Sequence, residues 1–165
     1  HMSVLDNVML GYHTAGSAGF LSGMLALGKS RREEAAAKGK AGDILEWLDI
    51  GDLADREVGN LSFGKQRTVE LARLLAADPA VILLDEPAAG LNMHETDELA
   101  GRILRIRDAN RTVLLVEHDM SLVMEISDEI VVLNFGQKIA EGTPESIQRN
   151  PEVIQIYLGG NDDQN

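Results

Sequence analysis

Three short segments of this 165-residue chain carry side chains suited to chemistry on a phosphate. In the first, Val81–Leu84 runs into Asp85-Glu86-Pro87, an apolar strand ending in paired carboxylates. Adjacent carboxylates at the carboxyl end of a strand suit two tasks: one holds Mg²⁺, commonly through water, and the other orients or deprotonates an attacking water. Alone, Asp-Glu-Pro favours the plainer reading of a strand turning into solvent, with Pro87 ending it. In the second, Leu61-Ser62-Phe63-Gly64-Lys65-Gln66-Arg67 precedes a helix expected over Thr68–Ala76. A Ser hydroxyl, a Gly backbone N–H and a helix N-terminus converging there would make an anion site. As a purely structural pattern, Ser62 is an N-cap and Gly64 a turn residue. A further apolar strand, Thr112–Val116, ends in Glu117-His118-Asp119. If the two strands are parallel, His118 falls on the same edge as Glu86, where an imidazole could donate to a terminal phosphate. Otherwise Asp119 simply caps a helix from Met120.

The elements that position these groups follow from local signals. Ser3 with Asp6 starts a short capped helix ahead of Val8, Met9 and Leu10. Residues 11–30 are a loose Gly/Ser-containing segment around Phe20, Leu21, Met24, Leu25 and Leu27. Ser30 and Glu33 repeat the capping pattern and open a helix whose apolar side emerges at Ile44, Leu45, Trp47 and Leu48, broken by Gly51-Asp52. Up to about Ala77 the pattern is helical. Beyond Asp78-Pro79 short, fully apolar strands, read as buried, alternate with helices over Met93–Ala109 and Met120–Ser127. Glu129–Leu133, Asn134-Phe135-Gly136 and Gln137–Glu141 form strand, turn and strand, and Thr143-Pro144-Glu145 starts a last helix pair split at Asn150-Pro151. Such alternation predicts an α/β fold with a parallel sheet of crossover units.

Composition narrows the function. With 44% hydrophobic residues the chain can build one core, and its net charge of -12 opposes binding to a nucleic-acid backbone. There is no cysteine, so disulfides and thiolate metal sites are excluded. No apolar run approaches the ~20 residues of a membrane span, and a cytoplasmic protein is expected. His1-Met2 reads as the remnant of a cleaved expression tag.

Gly23-Met24-Leu25-Ala26-Leu27-Gly28-Lys29-Ser30 matches the phosphate-loop pattern G-x-x-x-x-G-K-S in letters. A working loop follows a buried strand and wraps its N–H groups around phosphate, which favours small residues. Here the interior is bulky and apolar, and His13–Ala18 is no strand. The expectation is coincidence, with Leu25 and Leu27 in a helical core, Ser30 as a cap and Lys29 solvated.

Taken in order, the motifs resemble those of ABC ATPases. Leu61–Arg67 resembles the signature motif, Val81–Glu86 the Walker B strand, Ala88–Asn92 the D-loop and His118 the switch histidine. The finer pattern AAGLN, EHDM and KIAEGTP is similar to the ATP-binding subunits of branched-chain amino acid importers. Phe63 stands where the general pattern has Gly, and Asn92 where it usually has Asp, which removes a charge from the dimer contact.

The resemblance implies an incomplete RecA-like P-loop NTPase sheet (residues 78–165) plus an α-helical subdomain with the signature (residues 3–77). It implies ATP and Mg²⁺ as cofactors. Asp85 would help hold magnesium, Glu86 would polarise water and His118 would contact the γ-phosphate. The signature residues Ser62, Phe63, Gly64, Lys65 and Gln66, with Asn92 of the D-loop, would serve the nucleotide of an opposite subunit in a head-to-tail dimer. The helical part would face membrane-spanning permease subunits, at the inner face of the membrane. Set against the family, the chain is expected to be a C-terminal fragment, inactive alone, without the P-loop strand. The gap between the strand leading to His118 and the strand 129–133 would then close by rearrangement or be filled by a second chain. Two other functions stay open: a self-sufficient P-loop enzyme using Lys29, and a non-catalytic docking module. An ABC ATPase of repair or translation fits the acidic balance less well.

Overall fold

A computed structural model describes residues 2–15 and 27–158. The chain divides into two compact units, His1–Leu115 and Val116–Asn165.

The first unit opens with α1 (Val4–Ala15). Its start is a reciprocal cap, with Asp6 N–H donating to Ser3 Oγ at 3.1 Å and Ser3 Oγ donating to Asp6 Oδ2 at 2.7 Å. Helix α2 (Leu27–Trp47) begins three residues before the expected cap at Ser30. Gly28, Lys29 and Ser30 therefore lie within a helix, while residues 23–26 of the phosphate-loop look-alike, with the Phe20–Leu25 patch, fall outside the described residues. Leu45, Leu48 and Ile50 are buried in the unit's core, and two 3₁₀ turns, Gly51–Leu53 and Val58–Asn60, follow. Helix α3 (Phe63–Ala76) packs on α1 and α2, burying Val69, Leu71, Ala72 and Leu75. It starts at Phe63 rather than Thr68, because Ser62 caps it and Gly64 is a residue of its first turn.

Strand β1 (Val81–Asp85), helix α4 (Met93–Asp108) and strand β2 (Thr112–Val116) form one crossover unit. The two strands pair, and Thr112 N–H donates to Ala80 O at 3.0 Å. Their starts are thus adjacent and the strands run parallel, as the alternation predicts. One expectation is corrected. The strands are covered on one face only: Ile82 and Leu84 are buried and Val113 and Leu115 half-buried, whereas Val81, Leu83, Leu114 and Val116 are each more than half exposed. Continuous apolar strands are built for cover on both faces. Within the described residues these have it on one.

The second unit contains α5 (Met120–Ile126), then the antiparallel hairpin β3 (Ile130–Asn134) and β4 (Gln137–Gly142). The hairpin turns through Phe135 (φ 46°) and Gly136 (φ 77°), where the Asn-Phe-Gly pattern put it. Thr143 caps α6 (Pro144–Gln148) and Asn150 caps α7 (Pro151–Val153), which continues as a π-helical turn, Ile154–Leu158. Ile130, Val132, Ile147 and Val153 form this unit's core, joined by Val123, Met124, Ile139 and Ala140. Among the described residues β2 and β3 belong to different two-stranded sheets.

Candidate functional site

The start of α3 gathers a polar cluster from two helices. Ser62, in extended conformation, is the N-cap, its Oγ accepting from Lys65 N–H at 3.4 Å. The first N–H groups of a helix have no partner within it, and the helix dipole makes that end favourable for anions. Here an anion is already present. The Glu95 carboxylate reaches over from α4, and its Oε1 accepts from Ser62 Oγ and from Gly64 N–H, both at 3.3 Å. A β-carbon on Gly64 would come within 2.8 Å of that carboxylate, so a larger residue there would push Glu95 aside.

Glu95 also belongs to the start of its own helix. Asn92 caps α4, its Oδ1 accepting from Glu95 N–H at 3.0 Å, while Glu95 Oε2 accepts from Asn92 N–H at 3.3 Å and Nδ2 at 3.0 Å. This is a capping box in which the carboxylate serves two helices at once.

The remaining signature side chains fan outward. Phe63 is half exposed, with its ring against Gly90 and Arg67 stacked over it at 5.1 Å. Lys65 pairs with Glu98 at 3.7 Å. Gln66 folds back, donating from Nε2 to Leu61 O at 3.0 Å. Burial alone would raise the Glu98 carboxyl, but hydrogen bonding from Arg102 and the charges of Lys65, Arg102 and His94 outweigh it and hold it below its ordinary value.

Asp85 is the last residue of β1 and Glu86 follows it, both exposed at the strand's carboxyl end. Glu86 is held at φ 43°, a left-handed conformation that costs a non-glycine residue about 1–2 kcal/mol. In the second unit His118 follows the carboxyl end of β2, its side chain 72% exposed. The adjacent Glu117 side chain is only 1% exposed, 3.6 Å from His118 Nδ1, and its Oε2 accepts from His118 N–H at 3.0 Å and Asp119 N–H at 3.4 Å. Asp119 does cap α5, its Oδ1 accepting from Ser121 and Leu122 N–H.

A family profile described as "ABC transporter" matches residues 1–89, more than half of the chain. The chain belongs to the ABC transporter family. A second profile, "Branched-chain amino acid ATP-binding cassette transporter", matches residues 137–163. The chain is similar to the high-affinity branched-chain amino acid transport ATP-binding protein BraF of Pseudomonas aeruginosa, 45% identical over 96% of this chain and 62% of that one. The same figures hold for LivG of Escherichia coli K12. Among solved structures, an ATP-binding cassette of an ABC transporter in its ADP conformation superposes with a TM-score of 0.77 at 31% identity, covering 96% of this chain and 63% of that one. The chain thus spans about three fifths of the length of the curated relatives it matches. The fold is that of ABC ATPases, carried by a partial sheet.

An ABC ATPase binds ATP, and the start of α3 fits a phosphate, because a carboxylate already occupies a cradle that a β-carbon at Gly64 would fill. Asp85 offers hard oxygen donors suited to magnesium. No group of three or more His, Cys, Asp or Glu able to hold a metal gathers among the described residues. An ion beside Asp85 would therefore draw most of its ligands from water and phosphate, as Mg²⁺ commonly does.

Sequence reasoning missed Glu95 and Glu117. Glu95 had a local signal in the Asn92-x-x-Glu95 spacing, but its reach to α3 had none. Glu117 lay inside a motif whose chemistry drew attention to His118 alone.

Proposed function

We propose that this chain is the signature, Walker B and switch portion of the ATP-binding subunit of an importer for branched-chain amino acids. What carries the proposal is the start of α3, where Ser62 Oγ and Gly64 N–H converge on an anion. The resemblance of the relatives to the whole chain supports the substrate class. Residues 3–77 are the α-helical subdomain and 78–165 the C-terminal part of the RecA-like core.

In this scheme the side chains divide the work. Ser62, Gly64 and the α3 N-terminus bind phosphate of the nucleotide held by an opposite subunit, flanked by Phe63, Lys65 and Gln66. Asn92 orders the D-loop between the two. Asp85 supports the magnesium, which when bound neutralises phosphate charge. Glu86, fixed at the end of β1, orients and accepts a proton from the attacking water. His118 donates to phosphate, and Glu117 orients it. The helical subdomain docks permease subunits on the cytoplasmic face of the membrane. Among the described residues no helix is long and apolar enough to cross it.

The chain by itself is expected to turn over ATP negligibly, since its groups serve sites that two subunits complete. A steady-state ATPase assay tests this. Clear turnover that disappears in Glu86→Gln would overturn the claim of inactivity. Turnover or ATP affinity lost in Lys29→Ala would instead favour a P-loop enzyme.

A further inference from the structure

We propose that Glu95 is a displaceable stand-in for phosphate, a positioning residue that reports the arrival of nucleotide at the signature to the D-loop. The proposal rests on the assignment of Ser62 and Gly64 as phosphate donors.

The start of α3 offers two donors, Ser62 Oγ and Gly64 N–H, and both are spent on one oxygen of Glu95. A phosphate oxygen that takes these donors must take them from Glu95, because two anions do not share one helix terminus. The other Glu95 oxygen holds the Asn92 backbone N–H and side-chain amide. Asn92 ends the D-loop segment Ala88–Asn92. A carboxylate that turns away from α3 therefore shifts the cap of α4 and the loop before it. The contacts suit a part that moves: three of the four are at 3.3 Å, long for hydrogen bonds, and Glu95 is only partly buried. An ordinary capping box would ask the Glu95 carboxylate to serve only Asn92. The turn of Oε1 toward a second helix, and a glycine at position 64 that makes room for it, go beyond that need.

The test is a titration of the ¹⁵N-labelled chain with inorganic phosphate, read at the amides of Gly64, Lys65 and Asn92 at constant ionic strength. In the unaltered chain, phosphate is expected to move the Gly64 and Asn92 amides together, with one dissociation constant. In Glu95→Ala, Gly64 and Lys65 are expected to respond at phosphate concentrations at least about five-fold lower, and Asn92 to stop responding. Glu95→Gln keeps one acceptor oxygen, enough for the Asn92 N–H of the cap, while losing the charge and leaving Gly64 N–H free for phosphate. It is expected to preserve the cap and still bind phosphate more tightly, which covers the case of an Ala variant that unfolds. Equal affinity in all three chains, or a Gly64 response without Asn92 in the unaltered chain, overturns the proposal and leaves the phosphate site standing. No response at Gly64 or Lys65 in any chain overturns the phosphate site itself, and the stand-in with it.

Discussion

Phe63 lies over Gly90 so closely that a β-carbon on the glycine would sit 3.2 Å from ring atom Cε1. The residue that replaces glycine in the general signature pattern is thus the one that touches the D-loop. Gly90 is also at φ 80°, so alanine there meets both a strained backbone and a ring. Gly90→Ala is expected to destabilise the chain by about 1–3 kcal/mol in urea unfolding. Adding Phe63→Ala should return the steric share and leave the backbone share. Additive effects of the two substitutions would show that ring and glycine are not coupled.

Glu86 sits at φ 43°, where glycine is comfortable and glutamate is not. Glu86→Gly is expected to raise stability by about 0.5–1 kcal/mol at neutral pH, despite the entropy that glycine adds to the unfolded chain. Glu86→Gln should change stability little. Chemical denaturation of the two variants separates the effects, and a less stable Gly variant would mean that the side chain's own contacts outweigh the backbone strain.

Two groups set limits to stability in pH. Glu98 is held below its ordinary value of 4.5, so its contribution is present above that value and fades as acid protonates the folded carboxylate. Tyr12 is pushed above its ordinary 10.0 by burial first, then by Asp43 and Asp78. Its favourable neutral form is kept below pH 10, and stability falls as alkali takes its proton. Thermal melts should show Glu98→Gln less stable at pH 7, with the difference shrinking as the pH falls below 4.5, and Tyr12→Phe resisting the alkaline loss. Curves parallel to the unaltered chain at every pH would refute both assignments.

Val81, Leu83, Leu114 and Val116 present an apolar face on two paired strands. Such a face favours association with whatever can cover it. The chain is expected to self-associate with rising concentration in sedimentation velocity, and Leu83→Thr with Leu114→Thr to reduce this. A monodisperse monomer at high concentration, unaffected by the pair of substitutions, would show that the face needs no cover.

What could be read in the residues was whatever is specified locally. The caps at Ser3, Asp119, Thr143 and Asn150, the hairpin at Phe135-Gly136 and the strand limits to within one residue follow from side chains within a few positions. Helix α3 began earlier than expected because Gly64, a poor helix former, reads as a turn, whereas in the fold it admits Glu95. The bond from Gly64 to Glu95 spans 31 positions, and no periodicity encodes it. The strands misled in another way. Val81–Leu84 is apolar on both faces, and a pattern states what a strand is suited to meet, not what it meets here.

The caps have a further consequence, which concerns how such a chain can change. The helices begun by Ser62, Asn92, Asp119, Thr143 and Asn150 each take their first bonds from a residue that travels with them. A loop ahead of such a helix can lengthen without erasing the instruction to start, and the entropy of a longer loop grows slowly. Two residues inserted between Gly142 and Thr143 should leave the helical signal in circular dichroism intact, and a collapse of that signal would locate the instruction elsewhere. Inheritance can then tinker with spacing while the helices keep their beginnings. Among the described residues Glu95, answering to two helices at once, ties one beginning to another.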